Sequence, residues 1–206
     1  MSQYFYIHPE NPQARLIKQA VDIVCAGGVI AYPTDSAYAL GCHLGDKAAL
    51  ERIVRLRKLD EKHNFTLICR DLSDIATYAK VDNATYRLLK NHTPGPYTYI
   101  LQATSEVPRR VLHPKRKTIG IRIPAHPICQ ALLEALGEPL LTTTLQLPGE
   151  EFPLSDPEDI RDRIGKQLEL IIDGGHGTLQ STTVVDLSEG SPVLLREGLG
   201  DPTPFQ

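Results

Sequence analysis

Short apolar runs alternate with amphipathic helical patterns along this chain, and the alternation limits the fold more than any other feature of the sequence. Residues 12–26 place apolar side chains at three- and four-residue intervals, which is typical of a helix, and glycines end the pattern before the run GVIAYP. Further runs typical of strands follow in FTLICR, YTYILQAT, TIGIRIPAH, EPLLTTTLQ, LELIID, STTVVDL and VLLREG. The last three runs have no helix between them, so a pure βαβ repeat does not fit. We expect an α/β fold, a single domain over residues 1–206 with a twisted mixed β-sheet flanked by helices.

Several helix starts carry a candidate capping residue. Asp46 is a candidate N-cap for the helix in DKAALERIVRLRKL, and Ser73 for the helix in LSDIATYAKV. Ser155, followed three residues later by Glu158, predicts a capping box at the start of SDPEDIRDRIG. Two further helices are predicted in NATYRLLKNHTPGP and HPICQALLEALG.

Composition excludes some classes of protein. The formal net charge of −3 argues against a generally basic nucleic-acid binder, although it leaves local patches open. The N-terminus lacks the pattern of a secretory signal, and no apolar run approaches the roughly 18–20 residues that span a bilayer. We therefore expect a cytoplasmic protein with no membrane partner. The four scattered cysteines form no CxxC pair, and three lie in apolar surroundings, which favours buried free thiols over disulfides or a zinc site.

Polar residues stand at the ends of several predicted strands, in YPTDS, RIPAH, LTTTLQ and STTVVD. Ligands of open α/β sheets bind beyond strand ends, so these segments are candidates for one common pocket. Threonine is also a good strand former, and Thr34, Asp35 and Ser36 are equally consistent with an ordinary turn. The sequence has no Walker-type, GxGxxG or GxSxG motif, and its histidines show no HxH or HxxxH spacing, so no metal site is predicted.

Basic residues cluster in the segment RRVLHPKRK between two predicted strands, while acidic residues concentrate at 150–163. The separation of charge predicts a positive concavity suited to nucleotide phosphates or an RNA backbone, and a solvated basic face is the alternative. The candidate residues of this patch are Arg109, Arg110, Lys115, Arg116 and Lys117.

Taken in order, the motifs of residues from about 14 to 200 resemble those of the YrdC-like family, whose members make threonylcarbamoyl-AMP. AYPTDSAYALGC resembles the family's YPTET-YGLG segment, TPGPYTYIL its PGP-x-T segment, and TIGIRIPAHP its T-x-x-x-R-x-P-x-H segment. LLTTTLQLPG resembles STSAN-x-SG, DGG…STTVVD resembles DGG…STVVD, and LLREG resembles LRxG. Each match is weak alone, but six in order are highly specific. The length is that of the minimal single-domain members.

The resemblance implies a YrdC-like fold with an open, positively charged cavity. It implies synthesis of threonylcarbamoyl-AMP and pyrophosphate from ATP, L-threonine and bicarbonate. Mg²⁺ would arrive with ATP and would not be held by a dedicated protein site. Affinity for double-stranded RNA or tRNA is also implied, so an RNA- or ribosome-associated binding protein is the alternative function. Transfer or hydrolysis on another carbamoyl or acyl adenylate is a third.

The resemblance also assigns roles to individual residues. Those matched to the amino-acid side are Thr34, Arg122, Thr142 and Ser181. Those matched to ATP contacts are Thr118, Arg196, Arg57 and Thr144. The candidate catalytic residues are Arg57, Lys58, Thr144 and Gln146. An arginine can grip the substrate carboxylate through two parallel hydrogen bonds, which suits Arg122 to the amino acid.

The chain departs from the family pattern on the phosphate side. Without gaps, the lysine of the family's K-x-R pair falls on Arg57 and its arginine on Leu59, with Lys58 and Lys62 as substitute cations. The S-x-N pair becomes Thr144-Leu145-Gln146. Losing one preorganised donor costs about 10²–10³ in rate, roughly 3–4 kcal/mol. We therefore expect a folded site with weak or altered synthase activity.

Overall fold

The computed structural model describes all residues 1–206 and contains ten strands and six α-helices. In chain order these are β1 (Gln3–Tyr6), α1 (Ala14–Cys25), β2 (Ile30–Tyr32), β3 (Ala39–His43), α2 (Lys47–Arg57), β4 (Thr66–Ile68), α3 (Leu72–Tyr78), α4 (Asn83–His92), β5 (Tyr97–Gln102), β6 (Thr118–Arg122), α5 (Pro127–Leu136), β7 (Leu140–Thr144), α6 (Pro157–Ile164), β8 (Leu170–Asp173), β9 (Thr183–Asp186) and β10 (Val193–Arg196). Three short 3₁₀ turns lie at Arg109–Val111, Gly165–Gln167 and Thr203–Phe205.

All ten strands form one mixed sheet in the order β1-β8-β2-β3-β7-β4-β6-β5-β9-β10. The pairs β1–β8, β8–β2, β4–β6 and β5–β9 are parallel, and the remaining neighbours are antiparallel. Strands adjacent in the chain are mostly separated in the sheet, so long-range pairing joins the two halves of the sequence into a single unit.

The helices cover the two faces of the sheet unequally. On one face, apolar residues of α2, α3, α4 and α6 pack over Leu67, Tyr99, Ile121 and Leu141 to form the larger core. On the other face, α1 and α5 pack over Ile30, Ile68 and Leu140, while the sheet continues beyond them. The second face is therefore covered by helices over only part of its width.

The expected single-domain α/β fold with a mixed sheet is confirmed. Strands β1 and β3 were not predicted, because QYFY is short and ALGCH contains small residues and no β-branched ones. Asp46 caps α2 as predicted, by accepting a hydrogen bond from the Ala49 amide.

Two predicted caps are wrong. Helix α3 is capped by Asp71 rather than Ser73, and α6 by Asp156 rather than Ser155. In both cases a carboxylate near the predicted serine accepts the amide hydrogen bond, and a carboxylate is also favoured at the positive end of a helix.

Two expectations from composition can be compared with the structure. All four cysteines are free, and Cys42, Cys69 and Cys129 are buried while Cys25 is exposed, which confirms the prediction of buried thiols. None of the helices combines the length and apolar character needed to cross a bilayer.

Candidate functional site

A cavity of about 420 Å³ lies over the part of the sheet that α1 and α5 leave uncovered. Its floor follows from strand register, which places Ile100, Gly120, Thr66 and Thr142 side by side across β5, β6, β4 and β7. Gly120 is needed at this point of the floor, because a Cβ there would lie 2.6 Å from the Thr66 hydroxyl oxygen. The volume is within the range of small-molecule sites.

The cavity lining is cationic and rich in hydroxyl groups. It includes four basic side chains and no carboxylate: Arg57, Lys62, Arg122 and Arg196. Hydroxyl and amide groups supply most of the rest: Thr66, Thr98, Thr142, Thr143, Thr144, Ser181, Thr182, Asn64 and Gln146. The lining therefore offers many donors to an anionic ligand.

The turn Thr34–Ser36 holds Arg122, the last residue of β6. Nη2 of Arg122 donates to the Thr34 hydroxyl at 3.2 Å and to the Ser36 hydroxyl at 3.0 Å, and it forms an ion pair with Asp35. The second carboxylate oxygen of Asp35 accepts from the Ala125 amide at 2.8 Å. Both side chains of the ion pair are over 90% buried, and Nε of Arg122 has no hydrogen-bond partner in the chain. The turn is therefore both a structural element and the support of a cavity cation.

Arg57, the last residue of α2, is fixed against strand β7. Its Nε donates to the Gln146 carbonyl at 2.9 Å, and its Nη1 donates to the Thr143 hydroxyl at 2.5 Å. Burial lowers the pKa of its guanidinium from the usual value. Strand β4 begins at Thr66, opposite Thr142, so it leaves Thr143 unpaired on that side and open to this contact.

His63 lies beside this arginine, with its Nε2 3.2 Å from the Thr143 hydroxyl oxygen. Burial, assisted by the charge of Arg57, lowers the pKa of His63 to about 4, and the charge of Asp60 opposes this shift only partly. His63 is therefore a neutral imidazole at neutral pH.

Arg196 is fixed at the opposite wall by the residue that precedes β9. Its Nε and Nη2 donate to the Thr182 carbonyl at 3.0 and 2.9 Å. Burial, followed by the nearby charge of Arg122, lowers the pKa of Arg196. Gly198 permits this approach, because a Cβ there would lie 2.5 Å from the carbonyl carbon of Thr182.

Most of the residues predicted for the site line this cavity, and three do not. The lining includes Arg57, Arg122, Thr142, Thr144, Gln146, Ser181 and Arg196. Thr34 lies outside the lining and accepts a hydrogen bond from Arg122. Lys58 follows α2 in a left-handed conformation, is exposed and lies outside the lining. Thr118 is 1% exposed, lies outside the lining, and its hydroxyl has no partner in the chain. The roles given to these residues stay predictions.

Thr142 and Gln146 are also engaged within the protein. The Thr142 hydroxyl donates to the Leu40 carbonyl at 2.9 Å and lies 2.5 Å from the Tyr32 hydroxyl. The side-chain amide of Gln146 donates to the Glu150 carbonyl at 2.9 Å. Both residues therefore shape the wall through bonds that a ligand would have to share or replace.

The segment before β4 supplies lining residues that were not singled out from the sequence. Lys62, noted only as a substitute cation, lines the cavity together with His63 and Asn64, whereas Leu59 packs against the larger core. No spacing signal marked Thr143 or His63, because the pairing of β4 with β7 that brings them together is a long-range contact.

The basic patch at 109–117 lies apart from the cavity, since none of its five candidate residues belongs to the lining. All five are exposed, but two are held by the protein itself. Arg110 donates to the Gly45 carbonyl at 2.7 Å, and Arg116 pairs with Asp186 at 2.6 Å. The sequence predicted one basic concavity, whereas in the structure the cavity and the basic patch are two separate features.

The chain is thus an α/β protein with a ten-stranded mixed sheet and a cavity lined by four basic side chains. The Sua5/YciO/YrdC family model, described as "Telomere recombination", matches residues 22–198, and the chain belongs to this family. It is 64% identical to the uncharacterized protein YciO of Escherichia coli (strain K12) over 205 residues, covering 100% of both chains. The crystal structure of E. coli YciO superposes with a TM-score of 0.97, again covering 100% of both.

Two more distant relatives carry a functional name. A threonylcarbamoyl-AMP synthase of Nitrosococcus oceani is 35% identical over 159 residues, 77% of this chain and 85% of the relative. P. abyssi Sua5 complexed with L-threonine superposes with a TM-score of 0.87 at 28% identity, covering 96% of this chain and 58% of that one. The family thus includes threonylcarbamoyl-AMP synthases, and a distant Sua5 homologue binds L-threonine.

Proposed function

We propose that the cavity binds an adenine nucleotide and an amino acid and supports the reaction of a threonylcarbamoyl-AMP synthase, at a rate well below that of a chain with an intact K-x-R pair. The observation that carries this proposal is the cavity itself, in which four cations and no carboxylate surround a floor of hydroxyl groups. An anionic ligand with several oxygens fits such a lining, and a phosphate chain is one.

Arg122 is the candidate for the substrate carboxylate. Its Nη2 is held by the turn Thr34–Ser36, and its guanidinium lines the cavity. Its buried Nε has no partner in the chain, so donor capacity of this guanidinium is left over for a ligand that packs closely against it. Asp35 fixes the plane of the guanidinium and supplies one compensating charge. A distant homologue's affinity for L-threonine supports the choice of amino acid.

Arg57, Lys62 and Arg196 are the candidates for the phosphates. In the proposed reaction the amine of threonine attacks the carbon of bicarbonate and water leaves, which gives a carbamate. A carbamate oxygen then attacks the α-phosphorus of ATP while pyrophosphate leaves. Negative charge grows on the phosphoryl oxygens, and fixed cations stabilise it because they need no reorganisation at that moment. Two of these three cations are arginines anchored to backbone carbonyls, which keeps them in place.

In this proposal Mg²⁺ enters the cavity bound to the phosphates of ATP. The lining contains no carboxylate, and the chain has no group of three histidine, cysteine or acidic side chains placed to hold a metal ion. Oxygen ligands from the phosphates and water would therefore complete its coordination. When bound, the ion would neutralise charge on the leaving pyrophosphate.

The expected weakness of the reaction rests on Leu59 and Gln146. Leu59 packs against the larger core, so it supplies neither a donor nor a charge to the cavity. Gln146 keeps an amide near the family's asparagine position, but that amide is engaged with the Glu150 carbonyl. Together they remove directed donors from the phosphate side, and their effects need not add.

The test is to incubate the protein at stoichiometric concentration with ¹⁴C-bicarbonate, L-threonine, ATP and Mg²⁺, and to separate the nucleotide products. We expect threonylcarbamoyl-AMP above the blank, and less of it from Arg122→Ala and Arg57→Ala. The absence of product at stoichiometric enzyme would contradict the synthase proposal. Replacing threonine by other amino acids tests whether the cavity serves another carbamoyl or acyl adenylate.

Binding of double-stranded RNA or tRNA is the second candidate function, and the exposed basic patch favours it. Arg109, Lys115 and Lys117 are exposed and make no ion pair, so they are free to contact phosphates. Binding that uses them should weaken steeply with salt and after their replacement by alanine. Salt-insensitive binding, or none, would remove this candidate.

A further inference from the structure

His63 and Thr143 form a short hydrogen-bonded chain with Arg57 inside the cavity. Nη1 of Arg57 donates to the Thr143 hydroxyl oxygen at 2.5 Å, and the same oxygen lies 3.2 Å from Nε2 of His63. Thr143 accepts from arginine, and within the chain the imidazole nitrogen is the one acceptor within reach of its own proton. One donor order therefore satisfies every group within the chain: Arg57 donates to Thr143, and Thr143 donates to His63.

This order requires His63 to be neutral with its proton on Nδ1. A proton on Nε2 would point two donors at the Thr143 oxygen and would leave the hydroxyl proton without an acceptor. The surroundings favour the neutral form: the imidazole is half-buried, Arg57 is beside it, and only Asp60 supplies an opposing charge. The ring edge also packs against Phe65, with centroids 5.1 Å apart, which limits its rotation.

We propose that His63 is a positioning residue, which orients the Thr143 hydroxyl so that it accepts from Arg57 and holds this guanidinium toward the cavity. The importance of that position for ligands rests on the proposed function, but the hydrogen-bond order itself does not. Two atoms hold Arg57, the Gln146 carbonyl and the Thr143 hydroxyl. A carbonyl oxygen is always an acceptor, whereas a hydroxyl group can rotate and act as donor or acceptor. By accepting the hydroxyl proton, the imidazole fixes the rotation that leaves the Thr143 oxygen facing Arg57.

Nuclear magnetic resonance tests the hydrogen-bond order without any ligand. The ¹⁵N shifts of the His63 ring should show a protonated Nδ1 and an unprotonated Nε2 at neutral pH, the rarer tautomer of free histidine. The Arg57 Nη1–H signal, which reports the bond to Thr143, should be protected from exchange with water. A protonated Nε2, or a ring that is positively charged at pH 7, would overturn the proposal.

Paired variants test the positioning role. His63→Gln keeps an acceptor near the Nε2 position and Thr143→Ser keeps the hydroxyl, whereas His63→Leu and Thr143→Val remove them. We expect the Leu and Val variants to lose protection of the Arg57 Nη1–H signal. They should also bind MgATP roughly tenfold more weakly by calorimetry, about the effect of one hydrogen bond. The Gln and Ser variants should stay close to the unchanged protein. His176→Leu, at a histidine outside the cavity, is the matched control.

The outcomes separate the two proposals. If His63→Leu leaves both Arg57 protection and MgATP binding unchanged, the positioning role is refuted whatever the cavity binds. If Arg57 loses protection but MgATP binding persists, and Arg57→Ala also binds normally, the positioning role stands and the assignment of Arg57 to phosphates fails.

Discussion

Replacing Asp35 by asparagine tests whether the turn Thr34–Ser36 supports the cavity through charge. The side chains of Asp35 and Arg122 are 9% and 7% exposed, so the variant leaves a buried guanidinium without its counter-charge. Breaking a buried ion pair from one side costs about 3–5 kcal/mol. Asparagine keeps one oxygen that can accept from Arg122 or Ala125, so we expect the lower end, about 3 kcal/mol. For a chain of this size that is a fall in Tm of about 6–12 °C.

The assay is urea unfolding at pH 7 followed by circular dichroism, with thermal melts for Tm. Asp22→Asn is the matched control, because the Lys18–Asp22 pair is exposed on α1 and its loss should change stability by less than about 1 kcal/mol. We also expect a carboxylate ligand such as L-threonine to stabilise Asp35→Asn more than the unchanged protein. If Asp35→Asn and Asp22→Asn are equally mild, the ion pair is not the support that the geometry indicates.

Three further changes have definite expected outcomes. Because the pKa of His63 is about 4 in the folded protein, the unfolded chain binds a proton that the folded one lacks between pH 6.5 and 4, so stability falls as pH is lowered. His63→Gln should reduce that fall by about 2 kcal/mol in urea unfolding compared at pH 7 and 4.5. Leu59→Arg with Gln146→Asn should raise the synthase rate at least about tenfold if lost donors are the defect, and an unchanged rate would mean that the cavity serves another substrate. Gly198→Ala should cost about 1–3 kcal/mol because its Cβ meets a neighbouring backbone carbonyl, whereas Gly165→Ala, in right-handed helical backbone, should be close to neutral.

The fold could be predicted from the sequence where periodicity was strong. Helix α1 has apolar residues on one stripe, β5 lies in the alternating run YTYILQAT, and β6 lies in the strand-like run TIGIRIPAH, so all three were predictable. Strand β3 was not, because Ala39–His43 has small side chains that suit a strand only when β2 and β7 lie on both sides of it. Strand order is set by pairings between distant segments and has no local signal.

Several residues of the candidate site could be predicted from the sequence, but the contacts between them could not. The motif order pointed to Arg57, Arg122 and Arg196, which all line the cavity. The sequence did not indicate that Asp35 pairs with Arg122, because that contact joins the turn after β2 to β6. It also did not indicate that His63 and Arg57 share Thr143, because that contact depends on the position of β7. Lys58 and Lys62 were both possible substitute cations, and only the path of the chain after α2 shows that Lys62 lines the cavity.

The anchoring of the three arginines limits the chemistry that this cavity can support. Arg57 and Arg196 each donate to a backbone carbonyl, and Arg122 is held by a buried carboxylate. Their remaining N–H groups therefore point in fixed directions, which favours a rigid ligand with oxygens in matching places over a flexible anion of equal charge. Lys62 is the exception, because it is an exposed point charge on a flexible stem and can follow a phosphate as it moves. If the cavity binds nucleotides as proposed, an arginine at the position of the family's first lysine, together with one mobile lysine, should preserve nucleotide affinity better than the rate of adenylyl transfer.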